Sequence, residues 1–439
     1  MTRHHHPALD MIRHTELVAY TGGISAIGQN GLEALGPLCS VGEFCAVATD
    51  GGDTILAQVV SVDDRKIRLL PLGPTDGIRI GAEVVRAIER SRLTGGDAFA
   101  GRAVDAFGEP IDGKGPLATV AGGASVAGKP GKLDRTIVAE RVSTGIRAVD
   151  GLIPIAKGQR IGIFAASGVG KTTLVEQMSG RVDCDHCILC LIGERGREVE
   201  RLWRMHLEGE GGDRFTLVAA TSDESATARV RALDQALAIA EEWRAQGRHV
   251  VLFVDSVTRL AMALREIGLA GGEPPTLRSY TPNVFAAMPH YVERCGADRR
   301  AGQITAIFTV LAESDDVEDP IVELMKSLLD GHIILSRRLA EKGHFPPINI
   351  GGSVSRVADQ VMPPATLDAA RVIRQYFAEY DDARPMIESG IYRTGSSADI
   401  DRAIRLQPHI TEFLRQNSEE VATLADTDGA MRQILAMAR

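Results

Sequence analysis

Apolar and polar positions change their rhythm twice along the chain. From residue 15 to about 92, short runs alternate apolar and polar residues and are cut by turn signals. Residues 42–49, 54–60 and 67–72 predict strands, because successive strand side chains face opposite ways. Asp50-Gly51-Gly52-Asp53 separates the first two and predicts a hairpin turn. Together these runs predict a small β-barrel. From about 93 to 360 the rhythm becomes strand then amphipathic helix. Within 226–246, Val230, Leu233, Leu237, Ala240 and Trp243 recur at helical spacing, Gly247 ends the run, and an apolar strand follows at 250–254. A further strand is predicted at 304–311. Strands alternating with helices imply a mainly parallel sheet covered on both faces. Pro363-Pro364 breaks the pattern, and 369–380, 400–417 and 431 to the end read as helices. The expected organisation is an N-terminal segment and barrel over 1–92, an α/β core over 93–360 and a small helical domain over 361–439.

Bulk composition narrows the function classes. The chain has 439 residues, enough for two or three domains. Aromatics make up 4%, so the core must be mostly aliphatic. The formal net charge is −9, which argues against a broad nucleic-acid face, and no nucleic-acid partner is expected. No apolar run reaches bilayer length, and the start Met1-Thr2-Arg3-His4-His5-His6-Pro7 is not followed by a signal-peptide core, so a cytosolic protein is expected. The three histidines read as a solvated tail rather than a metal site. Cys184, Cys187 and Cys190 have a spacing that invites a metal reading. However, 187–193 reads as a buried strand, which turns Cys187 and Cys190 to opposite faces. Reduced core cysteines are expected.

The chemistry concentrates at 161–174, which reads as a buried strand, a glycine-rich bend and a helix opened by Gly-Lys-Thr. Backbone N–H groups of such a bend and of the helix N-terminus converge on an anion. Ser167, Gly168, Val169, Gly170, Lys171, Thr172 and Thr173 are the candidate nucleotide-binding residues. Lys171 would reach the β/γ-phosphates and the Thr172 hydroxyl would hold Mg²⁺. The general pattern has Gly five residues before Gly170, where this chain has Ala165. The strand 250–254 ends in Asp255, a second candidate for the Mg²⁺ side. Directly after the strand 187–192 comes Gly193-Glu194-Arg195-Gly196-Arg197-Glu198. Hydrolysis needs a group that orients and polarises water, and Glu194 is the candidate, with Arg195 beside it for phosphate oxygens. Taken alone, that run also reads as a solvated turn. Arg356, in Ile350-Gly351-Gly352-Ser353-Val354-Ser355-Arg356, is by spacing one of many arginines.

The set of motifs resembles a known family. Gly193-Glu194-Arg195-Gly196-Arg197-Glu198-Val199, Asp255-Ser256-Val257-Thr258-Arg259, Arg265-Glu266-Ile267-Gly268-Leu269-Ala270, Gly272-Glu273-Pro274-Pro275, Leu329-Asp330-Gly331-His332-Ile333 and Ser353-Val354-Ser355-Arg356-Val357 look like the type III protein export ATPases of the flagellum and injectisome, relatives of the rotary ATP synthase catalytic subunit. The likeness covers nearly the whole chain, from 101–108 onward most closely. It implies a RecA-like P-loop core between an N-terminal β-barrel and a C-terminal helical domain, in a homohexamer with ATP and Mg²⁺ at each subunit boundary. It implies that Lys171 and Thr172 bind phosphate and Mg²⁺, that Glu194 is the catalytic carboxylate, and that Asp255 is the Mg²⁺-side acid. Arg195 becomes a phosphate contact, Arg259 a support for the γ-phosphate side, and Arg356 a residue acting in the adjacent subunit's site. Phe345 falls where a Tyr or Phe packs on adenine, though by itself it also reads as core packing. The resemblance further implies a stator or regulator on the N-terminal region, a stalk protein in the ring channel facing 268–282, export chaperones and cargo, and peripheral association with the inner membrane at the export gate. Ala165, Ser279-Tyr280-Thr281-Pro282 and Glu323-Leu324-Met325-Lys326 depart from the commoner family text. The expected function is Mg²⁺-dependent ATP hydrolysis energising protein export. The alternatives are a rotary synthase subunit, a RecA-type nucleic-acid translocase, and a nucleotide-binding scaffold without turnover.

Overall fold

The computed structural model describes residues 20–438, apart from 29–30, 119–129, 132, 137–139, 210 and 313–318. The histidines His4, His5 and His6 and the segment 1–19, expected to meet a regulator, lie outside the described residues.

Strands β1 (Thr21–Gly28), β2 (Gly31–Leu35), β3 (Phe44–Ala48), β4 (Thr54–Asp63), β5 (Lys66–Pro71) and β6 (Glu83–Arg86) close into a barrel in the order β1-β2-β5-β4-β3-β6. The expected hairpin turn is present, with Ala48 opposite Thr54 in the antiparallel β3–β4 pair. Alternate residues such as Leu32, Ala34, Val47, Val59, Ile67 and Leu69 fill the interior. Closure leaves no unpaired edge on this small sheet.

The core adds β7 (Arg102–Val104), the short antiparallel pair β8 (Arg141–Val142) and β9 (Ile155–Ala156), then β10 (Arg160–Ala165), β11 (His186–Glu194), β12 (Phe215–Thr221), β13 (His249–Asp255), β14 (Gly296–Ala297), β15 (Gln303–Leu311), β16 (Gly331–Ile334) and β17 (Val354–Ser355). The main sheet runs β17-β16-β10-β15-β13-β11-β12-β7, with β14 attached to β15. From β16 to β7 all neighbours are parallel; β17 is antiparallel to β16. All seven residues of β13 are buried, as expected of a sheet covered on both sides. On one side Cys187, Leu189 and Leu191 pack with Leu174 and Met178 of the helix Lys171–Arg181. On the other, Ile188, Cys190 and Ile192 pack with Leu233 and Leu237 of the helix Ala226–Ala245. Cys187 and Cys190 therefore do face opposite ways, and all six cysteines are free. Burial pushes the Cys190 thiol well above its ordinary range.

Pro364 does not merely break the chain. It occupies the first turn of the helix Pro364–Glu388, where a missing N–H leaves no hydrogen bond unmade. This helix outruns the predicted 369–380 at both ends and packs with the helices Ala398–Leu414 and Leu424–Ala438. The trio docks on the helix Arg147–Leu152: Arg147 donates to the Phe413 carbonyl at 3.1 Å, and Arg141 pairs with Asp428 at 2.8 Å. Ser279, which stands where the commoner family text has Gly, holds a φ of +63° in the connection between the helices Val257–Gly271 and Pro282–Arg294. Among the described residues no helix is long and apolar enough to cross a membrane.

Candidate nucleotide site

Parallel strands place their carboxyl ends on one side of a sheet, and ligands bind beyond them. The glycine-rich bend leaves β10 at Ala165, which is 2% exposed. Gly168 and Gly170 hold φ of +77° and +106°, a region that other residues resist. Buried Val169 pins the bend from below. Gly170 is the N-cap of the helix Lys171–Arg181, so the first-turn N–H groups of that helix point into the loop without intrahelical partners. Thr172 is half-buried, while Ser167 and Thr173 are exposed.

Three charged side chains meet beyond the loop. Lys171, Glu194 and Asp255 are buried to 9%, 5% and 4% exposure. The Lys171 ammonium bonds Asp255 Oδ1 and lies 3.8 Å from Glu194 Oε1. Asp255 closes β13 and Glu194 closes β11, its neighbour in the sheet. Arg259 Nε donates to Glu194 Oε1 at 3.1 Å. Burial pushes the Glu194 carboxyl up to about 7, against the pull of Lys171 toward the ionised form. The strand-end carboxylates read from the sequence are thus brought onto one lysine.

Some residues of the site escaped the sequence reading. Thr309, on β15, donates its hydroxyl to Asp255 Oδ1 at 2.6 Å. Its only sequence signal is a polar residue inside an apolar strand. Gly193 holds a φ of +67°, and a methyl group there would lie 3.0 Å from Arg259 Cδ and 3.4 Å from Arg229 Cδ. Its backbone favours glycine, and a side chain there would crowd both arginine stems. Arg337 reaches the Ser167 carbonyl at 3.5 Å.

Other expected residues sit apart from this group. Arg195 caps the helix Gly196–His206 with its side chain exposed, outside the buried cluster. Phe345 is 52% exposed, which excludes core packing. It lines an open cleft of about 1010 Å³ shared with Gly170, Thr173 and the C-terminal helices. Arg356 is exposed, its Nη2 donating to the Lys326 carbonyl at 3.3 Å. Ser355 pairs with Gly331, and Gly162 with His332, so Arg356 is level with the amino end of β10. The loop leaves from the other end, about 16 Å away at strand rise. The structure does not bring Arg356 into its own subunit's pocket.

The residues present fit Mg²⁺. This ion keeps most of its waters and takes one or two protein oxygens beside phosphate oxygens. A half-buried Thr172 hydroxyl in the helix's first turn and the Asp255 carboxylate supply that set. No group of three or more His, Cys, Asp or Glu that could hold a metal occurs among the described residues.

Comparison with known proteins gives the class first. Residues 145–355 match the nucleotide-binding domain of the ATP synthase alpha/beta family, and residues 32–87 match its beta-barrel domain. Residues 362–433 match the T3SS EscN ATPase C-terminal domain, which separates the chain from the synthase branch. The flagellum-specific ATP synthase of Bacillus subtilis (strain 168) is 40% identical over 428 residues, covering 97% of this chain and 98% of that protein. The SPI-2 type 3 secretion system ATPase of Salmonella typhimurium is 41% identical over 400 residues, covering 91% of each. The assembled ATPase EscN of the enteropathogenic E. coli type III secretion system superposes with a TM-score of 0.89 at 37% identity, over 94% of this chain and 100% of that one. The chain belongs to the flagellar and type III secretion ATPases, and it is an ATPase of the type III export class.

Proposed function

We propose that this chain hydrolyses MgATP at the Lys171–Glu194–Asp255 cradle, within a homohexameric ring, and so energises type III protein export. One observation carries the reading. A buried ammonium sits between two buried strand-end carboxylates, directly beyond a left-handed glycine bend that opens a helix.

The bend and the first-turn N–H groups of Lys171, Thr172 and Thr173 bind phosphate oxygens, and the Lys171 ammonium bridges toward the β/γ-phosphates. Thr172 and Asp255 would hold Mg²⁺, which would neutralise charge on the phosphate oxygens. Glu194 orients the attacking water and accepts its proton. A carboxyl raised toward neutrality is a better proton acceptor than an ordinary one, provided that Lys171 keeps it ionised. Arg259 fixes Glu194 and, with Arg195, contacts the γ-phosphate side. Phe345 offers its exposed ring to adenine in the adjoining cleft. Arg356 reaches the nucleotide of the neighbouring subunit, which its distance from its own loop favours.

The partners follow the same reading. A structure of EscN in complex with its central stalk EscO superposes with a TM-score of 0.86 at 36% identity, which supports a stalk protein as partner; the 268–282 connection is where it would touch. A regulator on the N-terminal region, export chaperones, cargo, and a cytoplasmic position against the inner membrane complete it. Lys171→Ala should abolish phosphate release, while Glu194→Gln should still bind ATP but not cleave it. Parent-rate hydrolysis by Glu194→Gln would remove the assigned base.

A further inference from the structure

The cradle accounts for Arg259 but leaves its neighbour Arg229 unexplained. Arg229 lies in the first turn of the helix Ala226–Ala245, and its side chain is 18% exposed. Its Nη2 donates to Glu266 Oε2 at 3.0 Å, and its Nε reaches the Ser225 carbonyl at 3.5 Å. Glu266 and Arg259 stand on the same helix, Val257–Gly271, seven residues apart. Two helical turns place them on one face. The stems of Arg229 and Arg259 both cross Gly193, within 3.4 Å of the point where a methyl group would sit. Arg229 thus arrives from one helix, is tied to the second, and shares with the Arg259 stem the space over Gly193, beside Glu194 at the strand end.

Arg259 needs such a wall. Its side chain is 33% exposed, and a single Nε–Oε1 bond joins it to Glu194. A long, rotamer-rich side chain in that setting loses considerable freedom to hold one geometry. Resting on the proposed role of Glu194, we propose that Arg229 is a positioning residue: anchored by Glu266, it confines Arg259 so that Arg259 keeps the Glu194 carboxylate aimed at the attacking water. The phosphate loop and Phe345 are not part of this brace. Its loss should therefore act on turnover and not on nucleotide binding.

Arg229→Ala should lower kcat about tenfold while KM for MgATP stays within about twofold. Arg229→Lys, which keeps a long stem and a charge for Glu266, should recover most of kcat. In an Arg259→Ala background, Arg229→Ala should add little further loss, because it works through Arg259. Assays use the full chain at concentrations where sizing with a nonhydrolysable ATP analogue shows the assembled particle. Parent and Glu194→Gln are run alongside: an active Glu194→Gln overturns the site reading itself. With that control inactive, three outcomes overturn the Arg229 role. They are an unchanged kcat in Arg229→Ala, a loss confined to KM, or fully multiplicative losses with Arg259→Ala.

Discussion

The proposed base makes a quantitative demand on pH. Glu194 moves from an ordinary 4.5 to about 7, chiefly because burial disfavours the carboxylate; Asp255 pushes it the same way, and Lys171 and Arg259 oppose. A carboxyl raised in this manner is neutral below about 7 and ionised above. Only the ionised form can accept a proton from water. With a midpoint near 7, roughly one site in eleven is ionised at pH 6 and ten in eleven at pH 8. The kcat/KM for MgATP reports ionisations of the enzyme before nucleotide binds. It should therefore rise about tenfold from pH 6 to pH 8 and flatten above. Nucleotide phosphate also titrates near this range, so a single profile is ambiguous. Arg259→Ala separates the two sources. It removes a cation 3.1 Å from Glu194 Oε1 and should shift the acidic limb about one pH unit upward, whatever its effect on the plateau. A substrate ionisation would leave the limb in place. The measurement is initial-rate phosphate release at fixed free Mg²⁺, with circular dichroism confirming the fold across the range. A flat kcat/KM between pH 6 and 8, or a limb that ignores Arg259, would refute Glu194 as the titrating base.

Three further outcomes follow from the same geometry. Arg356→Ala subunits should bind nucleotide but form inactive rings, and mixing with Lys171→Ala subunits should restore activity at seams where an intact loop meets an intact Arg356; no restored activity in mixed rings would place Arg356 elsewhere. Phe345→Ala should raise KM for ATP several-fold with kcat nearly unchanged, Phe345→Tyr should behave as the parent, and an equal fall in kcat would argue against a base-stacking role. Asp150 is fully buried and accepts from Thr144 N at 2.9 Å, Thr144 Oγ1 at 2.6 Å and Gly145 N at 3.1 Å, so Asp150→Ala should destabilise the fold by about 3 kcal/mol or more in urea unfolding, with a change under 0.5 kcal/mol counting against the network.

What could be read from the sequence was whatever repeats locally. The barrel strands and the helix Ala226–Ala245 announce themselves by period, and the strand, bend and helix at 160–181 by glycines placed around a lysine. Glu194 and Asp255 were legible because each ends an apolar strand, and a parallel sheet must set such ends side by side. Thr309 and Gly193 were not legible, since one is defined by a bond across strands and the other by two side chains from separate helices. The three-residue strand β7 joins the sheet edge through pairing with β12, a long-range contact that no local pattern carries. Pro363-Pro364 marked the passage to the helical region correctly, but not that Pro364 itself begins the first helix, because a proline suits a helix's first turn as well as a break.

The orientation of one short strand decides how the site must be completed. Every parallel strand from β10 to β13 delivers its carboxyl end to the same side, and the loop, Glu194 and Asp255 gather there. Strand β17 runs antiparallel to β16, so the chain leaves it at the opposite end of the sheet and carries Arg356 with it. A separation of about 16 Å along β10 exceeds the reach of one arginine, and the intervening strands are packed on both faces. On the proposed reading a subunit alone supplies the loop, Glu194 and Asp255, while Arg356 is held away from the charge that spreads over the transferred phosphoryl group. If Arg356 serves that charge, it does so only where another copy's loop faces the exposed edge at β17. Nucleotide binding then belongs to the subunit and turnover to the seam, which ties energy release to the assembled state.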